Sequence, residues 1–124
     1  RIGLKQLSGL YAISRLGPGD GIPVWADGPG FVSITRTDGE LSVVCPQDRV
    51  PGAVRQDRDW VAFRFLGPFA FGETGIVLSV IRPLSENGLG IFVVSTFDGD
   101  HLLVKASDQP QARRLLGEAG HTLT

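Results

Sequence analysis

The chain has 124 residues, 42% of them hydrophobic and 20% charged, with 12 Lys and Arg against 13 Asp and Glu. This balance describes one folded domain or two small ones; it excludes wholesale disorder and withholds the positive footprint that a nucleic-acid backbone demands. The longest apolar run, residues 75–81, is far short of the roughly 20 residues of a membrane span, and one cysteine with two histidines is too few for a disulfide or a four-ligand zinc site. No membrane, nucleic acid, metal or cofactor is therefore expected, and a cytoplasmic location is.

In chain order, residues 1–58 show the two-residue period of strands and little helical periodicity. Residues 10–16 read as one strand. Residues 31–37 and 40–45 read as a hairpin about Asp38-Gly39, a pair that tolerates positive φ, with Val32, Ile34, Leu41 and Val44 turned inward. The intervening stretch, rich in glycine and proline, leaves room for one short turn, with Trp25 over the end of the sheet. Cys45, at a strand end before Pro46, is expected to be a half-buried thiol, with Arg49 the nearest cation in sequence.

From Asp59 the pattern changes. Residues 60–66 alternate as a strand with Val61, Phe63 and Phe65 on one face, ended by Gly67-Pro68. A helix follows, capped by Glu73 or Thr74, with Ile76, Val77, Val80, Ile81 and Leu84 as its apolar face. Pro83 removes the bond to the Ser79 carbonyl, which predicts a bend or an early end, and Asn87-Gly88 stops the element. Residues 89–97 are apolar on both faces, as in a central strand, and Asp98-Gly99-Asp100 turns them into a second strand over 101–106. A last helix starts at Ser107 or Asp108 with Pro110 in its first turn; it buries Ala112, Leu115, Leu116 and Ala119, and residues 121–124 open a truncated final strand.

Strand, helix, strand, strand, helix, strand is the ferredoxin-like βαββαβ order, so the fold class is α+β. The division expected is a strand-rich, helix-poor half over 1–58 and a complete unit over 59–124. No phosphate-binding glycine loop is present, and Ser14, Ser33 and Ser95 lack a nucleophile elbow.

The run from Ile81-Arg82-Pro83-Leu84 through Asn87-Gly88-Leu89-Gly90 to His101-Leu102-Leu103-Val104 resembles ACT-domain proteins of the small tandem type, related to the CASTOR-type arginine sensors. Residues 22–26, 33–37 and 40–46, and Gly67-Pro68 followed by Thr74-Gly75, are similar to that family too, so the resemblance covers nearly the whole chain. It implies two ACT-like halves and a non-catalytic regulatory protein that binds an amino acid or similar small ligand at a domain or subunit interface, as a homodimer. The loop after the first strand of the complete unit and the start of its first helix then hold the ligand: Phe71, Gly72, Glu73, Thr74, Gly75 and Ile76, opposed by Asn87, Gly88, Leu89, Gly90 and Ile91. Gly99 and His101 stand where the family more often has Thr and Tyr.

Physical chemistry supports that placement. Helix N-terminal amides attract a carboxylate, Gly75 lets a ligand approach the backbone, and Glu73 or Asp98 can hold an ammonium group. A plainer assignment stands beside it: Thr74 as a cap, Gly75 as a packing glycine under the sheet, Asp98 and Asp100 as turn residues. Three other functions fit the architecture. An acylphosphatase-like enzyme needs an arginine in residues 67–75, which hold none, and an RNA-binding module needs aromatics on residues 101–106, which hold none. A ligand-free protein-protein interaction module of the same fold is the remaining alternative.

Overall fold

The structure is a computed structural model and describes residues 1–67, 69 and 73–124. The elements are β1 (Gly3–Gln6), β2 (Tyr11–Leu16), β3 (Ser33–Arg36), β4 (Leu41–Pro46), β5 (Arg55–Leu66), α1 (Ile76–Ser85), β6 (Ile91–Ser95), β7 (Asp100–Lys105), α2 (Gln109–Glu118) and β8 (Thr122–Leu123), with short 3-10 turns at Val24–Ala26, Gln47–Arg49 and Ala106–Asp108. No helix among the described residues is long and apolar enough to cross a membrane. The chain divides into two compact units, one of residues 1–8 with 61–124 and one of residues 9–60. The division differs from a cut at 58/59 in two respects: it falls at 60/61, and the N-terminal strand belongs with the C-terminal residues.

Residues 9–60 form an antiparallel sheet in the order β3, β4, β2 and the first half of β5. Leu41, Val43 and Cys45 of β4 are fully buried with Ala12 and Ala26, and Trp25 packs against them. Ile34, expected inside, is 37% exposed, because β3 pairs only with β4 among the described residues. The β3–β4 turn also departs from expectation: neither Asp38 nor Gly39 takes a positive φ. The Thr37 hydroxyl accepts the amides of Gly39 and Glu40, each at 3.1 Å, and closes the turn instead.

A bulge interrupts β5. Tyr11 faces Trp60 while Ile13 faces Asp57, so one extra residue sits on β5, and Asp59 takes a left-handed φ of 67°. The Gln47 amide holds it from both sides, accepting from the Asp59 backbone N–H at 2.7 Å and donating to its carboxylate at 3.1 Å. Cys45 is more deeply placed than its sequence position suggests. Burial raises its thiol pKa, Arg49 opposes that and Asp48 adds to it. The thiol is therefore protonated at neutral pH, and a disulfide reagent at about pH 8 should label the native protein only as fast as it opens. Labelling as rapid as that of the denatured chain would contradict this.

The other unit carries the βαββαβ order as a five-stranded sheet, β6, β7, β5, β1, β8, with both helices on one face. Val61, Phe63 and Phe65 of β5, Leu102 and Val104 of β7 and Leu4 of β1 meet Val80 and Leu84 of α1 and Ala112, Leu115 and Leu116 of α2. The addition to expectation is β1, which lies antiparallel to β5 and parallel to β8 and so separates the first and last strands of the repeat. β6 also differs: it pairs with β7 alone among the described residues and its residues 91–94 are half-buried, so it is an edge strand. Ala119 is exposed, one position past the end of α2.

Both helices end in the same way. Leu89 N–H reaches Leu84 O and Gly88 N–H reaches Ser85 O; His121 N–H reaches Leu116 O and Gly120 N–H reaches Gly117 O. This is the Schellman pattern, with Gly88 at φ 78° and Gly120 at φ 96°. It aims the next residues, Leu89 and His121, into the interior, where they are 8% and 6% exposed. The helix starts differ from expectation: neither α1 nor α2 has a side-chain cap. Gly75, at φ 79°, occupies the N-cap position of α1, and Glu73 and Thr74 do not cap it.

Candidate functional site

Two clefts flank the turn between β6 and β7. The turn is rigidified from within: Thr96 N–H donates to Gly99 O at 2.7 Å, its hydroxyl donates to the same carbonyl at 3.0 Å, and the Ser95 hydroxyl donates to the Asp100 carboxylate.

The first cleft, about 340 Å³, lies between Phe69, Glu73, the first turn of α1 and the turn residues 95–100. It brings together Glu73, Gly75, Ile76 and Asp98 of the expected site. Thr74 is exposed and does not line it, while Phe71 and Gly72 lie outside the described residues. The amides of the first α1 turn have no acceptor within the helix; Ser79 N–H, the first that has one, bonds Gly75 O at 2.9 Å.

The expected opposing wall is corrected. Asn87, Gly88, Leu89, Gly90 and Ile91 lie at the other end of α1 and β6, where the first three close the helix and Leu89 enters the core. The reason is directional. β5 delivers the chain to one end of the sheet, α1 carries it back, and only the far end of β6 returns to the cleft. The wall is therefore the end of β6 and its turn, residues 95–98, not the strand's start.

The second cleft, about 520 Å³, lies on the other side of the turn, between Arg64 of β5, His101 of β7, Phe69 and Phe97. Neither Arg64 nor His101 stands among the residues expected from sequence. Their signal was the alternation of β5 and β7: Phe63 and Phe65 face the helices, so Arg64 between them faces away, as does His101 before the buried Leu102. Phe97 is 79% exposed, an unusual state for so large an apolar ring.

The pKa of His101 lies below the ordinary histidine value of 6.5, first through burial and then through the Arg64 charge, with Asp100 opposing both. A folded state that protonates less readily than the unfolded one loses stability as pH falls through and below 6.5. The unfolded chain binds the extra proton there, so the slope of stability against pH is positive. Denaturation at a series of pH values should show that slope, and His101→Asn should flatten it; an unchanged slope would remove His101 from the account.

Both helices on one sheet face, with a cleft at the first βα connection, define an α+β module of the ferredoxin-like class. The chain belongs to the ACT-domain family, whose model matches residues 55–118. A separate model of an N-terminal domain matches residues 9–53. The chain is similar to the human protein CASTOR3P, 28% identical over 93 residues, which cover 64% of this chain and 57% of that protein. It thus spans a little over half the length of this curated relative. The crystal structure of protein Atu0741 from Agrobacterium tumefaciens is 64% identical with a TM-score of 0.96, over 100% of this chain and 92% of that one. The regulatory subunit of aspartate kinase from Thermus thermophilus, in its ligand-free form, shares the fold at 11% identity and a TM-score of 0.57, over 94% of this chain and 96% of that one.

Proposed function

We propose that this ACT-domain chain is a non-catalytic regulatory protein that binds a free α-amino acid in the cleft at the start of α1. The observation that carries the reading is the cleft's chemistry. First-turn amides with no acceptor inside the helix, behind the left-handed Gly75, suit a carboxylate, the Glu73 and Asp98 carboxylates suit an ammonium group, and Phe69 and Ile76 supply apolar wall. The likeness in fold to a regulatory subunit of aspartate kinase supports the same reading. In this view residues 9–60 are a reduced ACT-like unit without an α-helix, and the rest of the chain is a complete one.

The protein acts as a homodimer in which β6 is joined by a second copy. The half-buried apolar residues 91–94 of this strand support that arrangement. Ligand at the cleft then shifts an assembly or conformational equilibrium through differential affinity.

Calorimetric titration with each common amino acid is the test. At least one should bind saturably, and Asp98→Ala or Glu73→Ala should weaken it. If no amino acid gives heat or raises the melting point at millimolar concentration, the chain is an interaction module of ACT fold without a ligand. A monomer that does not change on concentration, seen by light scattering, would separately remove the dimer.

A further inference from the structure

The second cleft carries chemistry that the first does not. Arg64 reaches it from the face of β5 opposite the buried Phe63 and Phe65, and among the described residues its guanidinium has no hydrogen bond and no ion pair. A guanidinium at the rim of a partly enclosed space is a carboxylate receptor, because its planar fork meets both oxygens at once and is more weakly hydrated than an ammonium. Beside it His101, half-buried and kept neutral at pH 7 by burial and by Arg64, offers ring N–H chemistry without a second fixed charge.

The rest of the lining narrows the ligand. Phe69 and the exposed Phe97 present ring surface, and Gly99 adds bare backbone where a Cβ would make only ordinary contacts, 3.9 Å from Phe65 O and 4.0 Å from Phe69. Asp98 and Asp100 add two carboxylates, so with a neutral His101 and one Arg64 the cleft holds one fixed positive charge against two negative ones. A dianion or a phosphate is repelled there about twice as strongly as a single carboxylate, which the Arg64 fork can hold with an uncharged body over the rings. The space, about 520 Å³, is in the range of small-molecule sites.

We infer that this cleft is a second ligand site, for a monocarboxylate with a flat apolar body, in which Arg64 holds the carboxylate and Phe69 and Phe97 flank the body. The site shares Phe69 and turn residues 96–100 with the α1 cleft, differs from it by Arg64 and His101, and does not rest on the amino-acid reading.

Phenylacetate is the probe, with phenylacetamide as its neutral match and phenylmalonate as its dianionic one, titrated into the full chain and followed by amide NMR shifts. Phenylacetate should shift residues 64 and 97–101 saturably. Phenylacetamide and phenylmalonate should each bind about tenfold more weakly or worse, and Arg64→Gln should weaken phenylacetate by a similar factor. Arg64→Lys should recover part of the loss, and Glu73→Ala should leave phenylacetate binding unchanged.

The inference is overturned if phenylacetate produces no saturable shift, if the shifts gather instead on residues 75–78, or if the amide binds as well as the acid. These three readings use the wild-type chain, so they do not depend on a variant folding. Amino-acid titrations that fail at the α1 cleft leave them unaffected.

Discussion

Replacing His121 by alanine should lower the stability of the fold by about 2–4 kcal/mol, because it strands two partly buried backbone groups at once. The ring is 6% exposed. Its Nδ1 accepts the Ile2 N–H at 2.9 Å, which places the ring proton on Nε2, and Nε2 lies 2.9 Å from Ser79 O, to which it donates. Ser79 O needs that donor for a reason written in the helix: the residue four positions on is Pro83, which has no N–H to give. One imidazole thus joins the N-terminal strand, the interrupted α1 and the end of α2.

The test is a double-mutant cycle in chemical denaturation. Pro83→Ala restores an N–H to Ser79 O, so it should recover about 1 kcal/mol more in the His121→Ala background than in the wild type. Strict additivity of the two substitutions would mean that Ser79 O does not link them. His121→Phe, which fills the space without restoring either bond, separates the polar loss from the cavity.

That network shows what could be read from the sequence and what could not. Pro83 and the freed Ser79 carbonyl are local, four residues apart, and the consequence is visible in the residue types alone. The histidine that answers them is 42 residues away, and no local pattern announces it. The same contrast runs through the fold. The strand and helix order from β5 to β8, the core positions Val61, Phe63, Phe65, Val80 and Leu84, and the stop at Asn87-Gly88 follow from periodicity and turn chemistry. The insertion of β1 between β5 and β8 is a pairing choice, and a four-residue strand with one deeply buried residue, Leu4, does not name its partners.

The site divides along the same line. Glu73, Gly75, Ile76 and Asp98 meet because the loop after β5 and the turn after β6 share one end of the sheet. Family likeness makes Asn87 to Ile91 neighbours of that loop, but the length of α1 puts them a helix away. Arg64 and His101 needed the register of two strands, which brings β5 beside β7.

Gly75→Val should cost about 1–2 kcal/mol of stability even without ligand, and the cause is the backbone rather than packing. Gly75 holds φ at 79°, a region that a β-branched residue enters only with strain, yet among the described residues a Cβ built there meets nothing within 4 Å. Against the described residues, Gly75 is therefore not a packing glycine under the sheet, and the cost is one of strain rather than overpacking. Asparagine tolerates the left-handed region, so Gly75→Asn should fold with nearly the wild-type melting temperature while placing a side chain at the start of α1. The pair separates strain from ligand access. An amino acid that binds only the folded wild type, at about 100 times its dissociation constant, should add about 2.7 kcal/mol. In a chain of this length that raises the melting point by about ten degrees. If the ligand carboxylate sits on the first-turn amides, Gly75→Asn should keep its own melting temperature and lose most of that rise, whereas Gly75→Val should lose both. A Gly75→Asn protein that retains the full ligand-induced rise would move the carboxylate away from the start of α1.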